Sequence, residues 1–142
     1  MVAVGTWNLE NLYQPGSQFG PKTQAAYDAK LASLAATITR LAPDVLAVQE
    51  VGQPEALTDL VDRLDGSWTV VLSDHPDPRG IRVGFLTTLT PLSTTQVVDF
   101  PTGLRPIQDG DAATDTSTTM GRGAAQLRVT IDGWSGIWSR CI

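Results

Sequence analysis

The sequence is short of cysteine and of long apolar runs. Its one cysteine, Cys141, excludes an internal disulfide and a cysteine-rich zinc site, and it is compatible with a reducing compartment. No stretch approaches the roughly 18 consecutive apolar residues of a membrane-spanning helix, and no charged segment followed by a long apolar one comes after Met1. We therefore expect a cytoplasmic protein without a membrane span, or a secreted one if the true start lies elsewhere.

Positive charge and histidine are also scarce. The 10 Lys and Arg residues stand against 15 Asp and Glu residues, so the chain lacks the basic footprint of non-specific nucleic-acid binding. Chemistry on a phosphate would therefore need local cations or a metal ion. The one histidine, His75, lies between Asp74 and Pro76 in a predicted turn, where we expect an exposed residue without a catalytic role.

The length and composition, 142 residues and 42% hydrophobic, are those of one globular domain. Periodic apolar residues predict two helices, from about residue 22 to 41 and from 54 to 64, with Gly66 as the stop of the second. Apolar runs bounded by turn residues predict strands at 2–13, 44–51, 67–73, 81–88, 94–100 and 124–131. Between the last two, residues 101–123 have almost nothing to bury and are predicted to be a loop. The alternation of strands and helices predicts partly parallel pairing early in the chain.

Polar side chains stand at the ends of the first two predicted strands. Asn8 and Glu10 end the first strand and Glu50 ends the second. Ligands of such sheets gather beyond the carboxyl ends of the strands, and carboxylate and amide oxygens suit a hard cation such as Mg2+. Taken alone, however, an Asn or Glu at a strand end is more often a solvated cap or turn residue without a ligand.

Two arginines in glycine-containing turns are candidates for binding phosphate. Arg79 precedes Gly80, and Arg122 lies between Gly121 and Gly123. A guanidinium can hold a phosphate with two hydrogen bonds, but a solvated turn arginine is the alternative for both residues. Three nearby aspartates lack the spacing of an EF-hand loop and read as a solvated loop: Asp109, Asp111 and Asp115.

Three stretches, in this order, resemble the N-terminal half of the endonuclease/exonuclease/phosphatase superfamily. They are Thr6-Trp7-Asn8-Leu9-Glu10-Asn11-Leu12-Tyr13, Ala42-Pro43-Asp44-Val45-Leu46-Ala47-Val48-Gln49-Glu50-Val51 and Arg79-Gly80-Ile81-Arg82-Val83-Gly84-Phe85-Leu86. The resemblance implies an α+β fold, part of a DNase I-like two-sheet sandwich flanked by helices, with one sheet incomplete. It covers residues 1–131 as the N-terminal half of such a domain.

The resemblance also implies a chemistry. Asn8 and Glu50 match catalytic residues that hold a divalent metal, Mg2+ with Mn2+ or Ca2+ as alternatives, and Arg79 becomes a phosphate contact. The Lewis-acid metal stabilises charge that develops on a phosphoryl oxygen. The implied substrate is a phosphate ester, with DNA or RNA, a phosphomonoester, a phospholipid or an inositol phosphate all open.

The sequence departs from the family after its last predicted strand. The family's later histidine, its Asp-x-Asn motif and its terminal Asp-His pair are missing, and His75 is in the wrong place to substitute. Residues 132–142 do not resemble the apolar strand expected there and read as an aberrant tail, which a frameshift would explain. We therefore expect a truncated, nuclease-like phosphodiester hydrolase that is inactive as given. The alternative is a catalytically silent binding module, and the open sheet predicts self-association.

Overall fold

The computed structural model describes residues 1–103 and 119–131 with their side chains and residues 134–141 as backbone. The chain forms two helices and seven strands over these residues. In chain order they are β1 (Val4–Leu12), α1 (Gln24–Leu41), β2 (Val45–Val51), α2 (Pro54–Val61), β3 (Thr69–Leu72), β4 (Arg82–Thr87), β5 (Pro91–Asp99), β6 (Thr119–Ile131) and β7 (Trp134–Cys141).

The strands form two sheets. The first has four strands in the order β1-β2-β4-β3, and the second has three in the order β5-β6-β7. Strands β1 and β2 pair in parallel, whereas β4 pairs antiparallel with both β2 and β3. The predicted parallel pairing is thus confirmed for β1 and β2, and the two sheets with their helices confirm the α+β fold class.

Strand β2 is apolar along most of its length because both of its faces are covered. Leu46 and Val48 belong to the core that the first sheet forms with the two helices. Val45 and Ala47 alternate with them and pack with residues of β4 and β6, including Phe85. Side chains alternate between the two faces of a strand, so this sheet is the middle layer between the helices and the second sheet.

Both helices begin at recognisable signals. The Thr23 hydroxyl accepts a hydrogen bond from the Ala26 N–H and caps α1, and Pro54 occupies the first turn of α2. The prediction placed the end of α2 too late, at Leu64. The helix ends at Val61 because the N–H groups of Arg63 and Leu64 bond to carbonyls three residues back, which tightens the last turn.

The second sheet is longer than predicted. Strand β5 begins at Pro91, not Thr94, and β6 begins at Thr119, so the last five residues of the predicted 101–123 loop are strand. Backbone pairing explains the error, since Thr119 lies opposite Asp99 and strand pairing needs no apolar side chains. The predicted Asp109, Asp111 and Asp115 loop lies outside the described residues.

The predicted aberrant tail also contains strand. Residues 134–141 form β7, which pairs antiparallel with β6, although their sequence is not the apolar one expected for that position. Residues 132, 133 and 142 of that tail lie outside the described part of the chain. A frameshift remains a prediction. Neither described helix is long and apolar enough to cross a membrane.

Candidate active site at the ends of β1 and β2

Strand β1 ends in a bulge that turns its polar side chains out of register. Glu10 and Asn11 have φ angles of 53° and 55°, in the left-handed region, and the pairing with β2 shifts between Asn8 and Leu12. The Asn8 Oδ1 atom accepts a hydrogen bond from the Glu10 N–H at 2.8 Å. Non-glycine residues in this conformation are uncommon and concentrate at functional sites, where the surrounding structure holds them.

Glu50 occupies a similar position at the end of β2. Its φ angle is 59°, and the pairing of β2 with β4 shifts between Val48 and Val51. The half-buried Glu50 carboxylate accepts the Asn11 N–H on Oε2 at 3.0 Å. The bulge therefore joins Asn8 to Glu50 through backbone groups, and the Oε1 atom of Glu50 has no hydrogen bond to any described residue.

A lysine from the first helix holds the bulge in place. The Lys30 Nζ atom donates hydrogen bonds to the carbonyl oxygens of Glu10 and Asn11. Burial lowers the pKa of Lys30, while the carboxylates of Glu10 and Glu50 act in the opposite direction. Lys30 could not be identified from the sequence, because a polar residue on an amphipathic helix carries no signal of the strand end that it reaches.

Arg79 lies in the turn before β4, and Asp77 organises that turn. Asp77 Oδ1 accepts the N–H groups of Arg79 and Ile81, each at 2.9 Å. Asp77 Oδ2 contacts Arg79 Nη2 at 3.5 Å and Arg122 Nε at 3.0 Å. Burial alone would raise the pKa of Asp77, but the hydrogen bonds from Ile81, Arg122 and Arg79 lower it overall.

Tyr13 attaches this turn to the end of β2. Its hydroxyl donates to the Arg79 carbonyl oxygen at 2.6 Å, and a Cβ atom on Gly52 would lie 2.2 Å from the Tyr13 ring. Position 52 therefore has room for glycine alone. Burial raises the pKa of Tyr13, and the nearby Asp77 carboxylate raises it further. Tyr13 and Asp77 were also missed, although Tyr13 stands in the stretch that carries the family resemblance.

The remaining candidates lie elsewhere or play a smaller part. His75 is exposed in the connection between β3 and β4, where its backbone N–H donates to the Ser73 hydroxyl. The Glu10 side chain is exposed, and with Asn8 and Lys30 it lines an open cleft of about 250 Å³ that does not include Glu50.

The donor set at the strand ends is chemically suited to Mg2+. Within residues 1–103 and 119–131, no three carboxylate, imidazole or thiolate side chains come together. What the described residues offer is the Glu50 carboxylate, with one oxygen oriented by Asn11 and the other unpartnered, and the exposed Asn8 amide. Mg2+ keeps several waters and takes one or two carboxylates, whereas Ca2+ takes six to eight oxygen ligands, so the set fits Mg2+ better.

Comparisons with known proteins agree with this fold. No curated protein matches the sequence. Among solved structures, an endonuclease/exonuclease/phosphatase family protein from Leptotrichia buccalis superposes with a TM-score of 0.61 and 16% identity, over 95% of this chain and 51% of that one. Humanized D. rerio TDP2 gives 0.59 and 17%, over 94% and 46%. The human Nocturnin catalytic domain, solved with a bound sulfate anion, gives 0.58 and 14%, over 96% and 48%.

These likenesses at low identity show the fold alone, and the chain spans about half the length of the solved structures it matches. The evidence for the family comes from the sequence. A family model described as Endonuclease/Exonuclease/phosphatase family matches residues 5–135, which is most of the chain. The chain therefore belongs to the endonuclease/exonuclease/phosphatase family and has a DNase I-like fold.

Proposed function

We propose that this chain carries the N-terminal half of a metal-dependent phosphodiester hydrolase of the nuclease type. Glu50 and Asn8 would hold Mg2+, with Mn2+ or Ca2+ as substitutes, and Arg79 would contact the phosphate. The observation that carries the proposal is the Glu50 carboxylate, half-buried on a strained residue and oriented by the Asn11 N–H at 3.0 Å. A bound metal would supply Lewis-acid stabilisation of charge on a phosphoryl oxygen.

In this proposal the residues of this chain orient the metal-binding carboxylate and place an arginine for the phosphate. Asn11 presents its N–H to one oxygen of Glu50, which would leave Oε1 available to a ligand, and Lys30 holds the carbonyls of the same bulge. The Arg79 guanidinium is exposed, with Asp77 fixing the turn that carries it. Residues that take a proton from water and protonate the leaving group are not assigned within this chain.

We further propose that the chain alone is inactive or nearly so. The histidine, Asp-x-Asn and Asp-His motifs that the family uses later in the domain are absent from the sequence. Catalytic residues that act as a unit lose most of the rate when one member is removed. Mg2+-dependent cleavage of DNA or of a bis-aryl phosphate by the pure chain would contradict this part. A cytoplasmic location stays a prediction.

Metal binding by the chain is the direct test. Calorimetry with Mn2+ and Mg2+ should show one divalent ion per chain, with affinity falling at least about tenfold in Glu50→Gln, because the variant lacks the charged ligand. Glu55→Gln removes the same charge from the exposed first turn of α2 and should bind within about twofold of wild type. Equal affinity in Glu50→Gln and wild type would contradict the proposed metal site.

The competing proposal is a catalytically silent binding module. Strand β1 is an edge of the four-stranded sheet and exposes Val4 at 44%, and such edges are templates for pairing with another chain. Size-exclusion chromatography separates the alternatives. A stable, stoichiometric dimer or partner complex without divalent-ion binding would favour the module over the hydrolase half.

A further inference from the structure

Strand β1 is an open edge of the first sheet without the protection that two other edge strands have. Among the described strands β2 is its only neighbour, so the opposite side of β1 is open. Edge strands avoid pairing with other chains by being short or by carrying proline, charge or bulges. Strand β3 has four residues, and β5 begins with Pro91 and shifts register near both ends. From Val4 to Leu9, β1 has no proline and no charge, and its register with β2 is regular as far as Asn8.

The alternation of the backbone fixes which residues of β1 face the open side. Successive residues of a strand direct their N–H and C=O groups to opposite sides. The Ala3 carbonyl oxygen accepts the N–H groups of Asp44 and Val45 at the start of β2, so Ala3 and its alternates face β2. The residues between them face the open side, and all three are exposed: Val4, Thr6 and Asn8. A second strand could therefore pair with β1 without disturbing the pairing with β2.

A groove runs beside this edge on the face that the helices cover. It has a volume of about 430 Å³, and its lining includes Gly5 and Trp7 of β1, Leu41 at the end of α1 and Leu46 of β2. Gly5 contributes no side chain to the groove, and Leu41 is 58% exposed. Trp7 is only partly buried. On one face, two residues apart, β1 thus presents a large aromatic side chain and a position without a side chain.

We infer that β1 pairs antiparallel with β1 of a second copy of this chain, with Thr6 on the two-fold axis. This register is self-complementary, because the outward groups of Val4 in one copy meet those of Asn8 in the other, and Thr6 meets Thr6. Trp7 of one copy then lies opposite Gly5 of the other on the helix face, where facing residues of an antiparallel pair come closest. Each Trp7 covers the gap that Gly5 leaves in the other copy.

Symmetry and charge favour a second copy over a strand from a different polypeptide. The match of Trp7 with Gly5 about Thr6 exists only when both strands have the sequence of β1. Residues 4–8 contain no charged side chain, so no like charges face each other across the pair, although the chain has a formal net charge of -5. Glu50 belongs to β2 and takes no part in the pairing. The inference therefore stands apart from the proposed metal site and gives the competing binding module a specific partner.

The test is the oligomeric state of the full chain, measured by analytical ultracentrifugation at several concentrations. We expect a dimer in reversible equilibrium with the monomer. Thr6→Lys and Thr6→Glu should each weaken the dimer at least about tenfold, because identical charges would face each other at the two-fold axis. An equimolar mixture of the two variants should dimerise again, since opposite charges then meet. Thr95→Lys, at an exposed threonine of β5, is the matched control and should dimerise within about twofold of wild type.

A second pair of variants tests the groove. Leu41→Gln removes an exposed apolar side chain that would contact Trp7 of the other copy, so the dimer should weaken about tenfold. Leu92→Gln is the matched control, because Leu92 is similarly exposed, at 53%, but lies on β5. Its dimer should differ from that of wild type by less than about twofold.

Several results would overturn the inference. A monomer at every concentration would show that β1 does not pair with itself, and a dimer unchanged in Thr6→Lys would show that another surface forms it. Failure of the folded Thr6→Lys and Thr6→Glu variants to dimerise when mixed would contradict the register. Pairing with a different polypeptide in place of a second copy would contradict the assigned partner. Because Glu50→Gln should lose metal binding yet dimerise like wild type, failure of the proposed function and failure of this inference are distinguishable.

Discussion

Two regions of the first sheet use carboxylates differently: the helix side, around Asp59, and the strand-end side, around Glu50 and Asp77. On the helix side, Asp59 Oδ2 accepts the Tyr27 hydroxyl and Gln14 Nε2, each at 2.7 Å. On the strand-end side, Asp77 and Glu50 accept backbone N–H groups, while the Oε1 atom of Glu50 and most guanidinium donors have no bond to described residues. The first region joins elements together, whereas the second retains unused hydrogen-bonding capacity, which we propose serves a ligand.

The two regions also differ in how many of their residues have a strained backbone. At the strand ends Glu10, Asn11 and Glu50 all have positive φ angles, a conformation that costs of order 1–3 kcal/mol per residue. On the helix side, Ala42 is the one described non-glycine residue with a positive φ; it ends α1, and its N–H bonds to the Ile38 carbonyl oxygen. Strain at a helix terminus has a structural reason, whereas we propose that the strand-end strain positions Glu50 and its neighbours for a ligand.

Gly52→Ala should be the most damaging change on the strand-end side. The added Cβ would lie 2.2 to 2.3 Å from three atoms of the Tyr13 ring, and Tyr13 is only 4% exposed, so the ring cannot move aside freely. We expect a loss of about 3 kcal/mol in the free energy of unfolding, measured by urea denaturation. Displacing Tyr13 also removes its bond to Arg79, so phosphate binding should weaken.

Gly121→Ala is the matched control for that experiment. Nothing lies within 4 Å of a Cβ at position 121, so the change should alter the free energy of unfolding by less than about 0.5 kcal/mol. A Gly52→Ala variant as stable as Gly121→Ala would show that Tyr13 is not held against β2 as described.

Asp59→Ala should destabilise the helix side without affecting either ligand. The substitution leaves the Tyr27 hydroxyl without an acceptor, and Tyr27 is 3% exposed, so the cost should be about 2 kcal/mol in urea denaturation. Divalent-ion and phosphate affinities should stay within about twofold of wild type. Asp62→Ala, an exposed aspartate at the end of the same helix, should change stability by less than about 0.5 kcal/mol. Loss of ligand binding in a folded Asp59→Ala variant would contradict the separation of the two regions into a structural one and a ligand-binding one.

Lys30→Met tests the one side chain that crosses from the helix side to the strand ends. Methionine keeps the length and the apolar contacts but cannot donate to the carbonyls of Glu10 and Asn11. We expect a loss of about 1 kcal/mol in stability, faster hydrogen exchange at the Asn11 amide, and weaker Mn2+ binding in calorimetry. Lys22→Met, on an exposed lysine before α1, should match wild type. Tighter Mn2+ binding in Lys30→Met would instead mean that Lys30 acts as a repelling charge.

The helix side could be predicted from the sequence far better than the strand-end side. The spacing of Leu31, Leu34 and Ile38 marks the buried face of α1, and all three are buried. At the strand ends the pattern indicates which residues are polar but not their geometry. The bulge at Glu10 and Asn11 cannot be predicted, because Glu rarely adopts a positive φ and a single Asn, although it does so more often than most residues, does not mark a bulge by itself.

Contacts between residues far apart in the sequence could not be predicted either. Asp77 meets Arg122 across 45 positions and two sheets, and Asn11 meets Glu50 across 39. Arg122 was therefore an isolated turn arginine in the sequence and a neighbour of Arg79 in the structure. The extension of β6 to Thr119 was missed for a related reason, since pairing with Asp99 depends on the partner strand.

The smallest effect we predict is on the acid dependence of stability. Hydrogen bonds from Gln14 and then Tyr27 lower the pKa of Asp59, and the pKa of Asp77 is also below its ordinary value of 3.8. A carboxyl with a lowered folded-state pKa contributes stability above its unfolded pKa and loses it as the pH falls through the folded one. Wild type should therefore lose stability below about pH 4, and Asp59→Asn and Asp77→Asn should each lose less over that range. Urea denaturation at pH 5 and pH 3 measures the difference. Acid profiles that superimpose for all three proteins would show that neither carboxylate has the hydrogen bonds that distinguish the two regions.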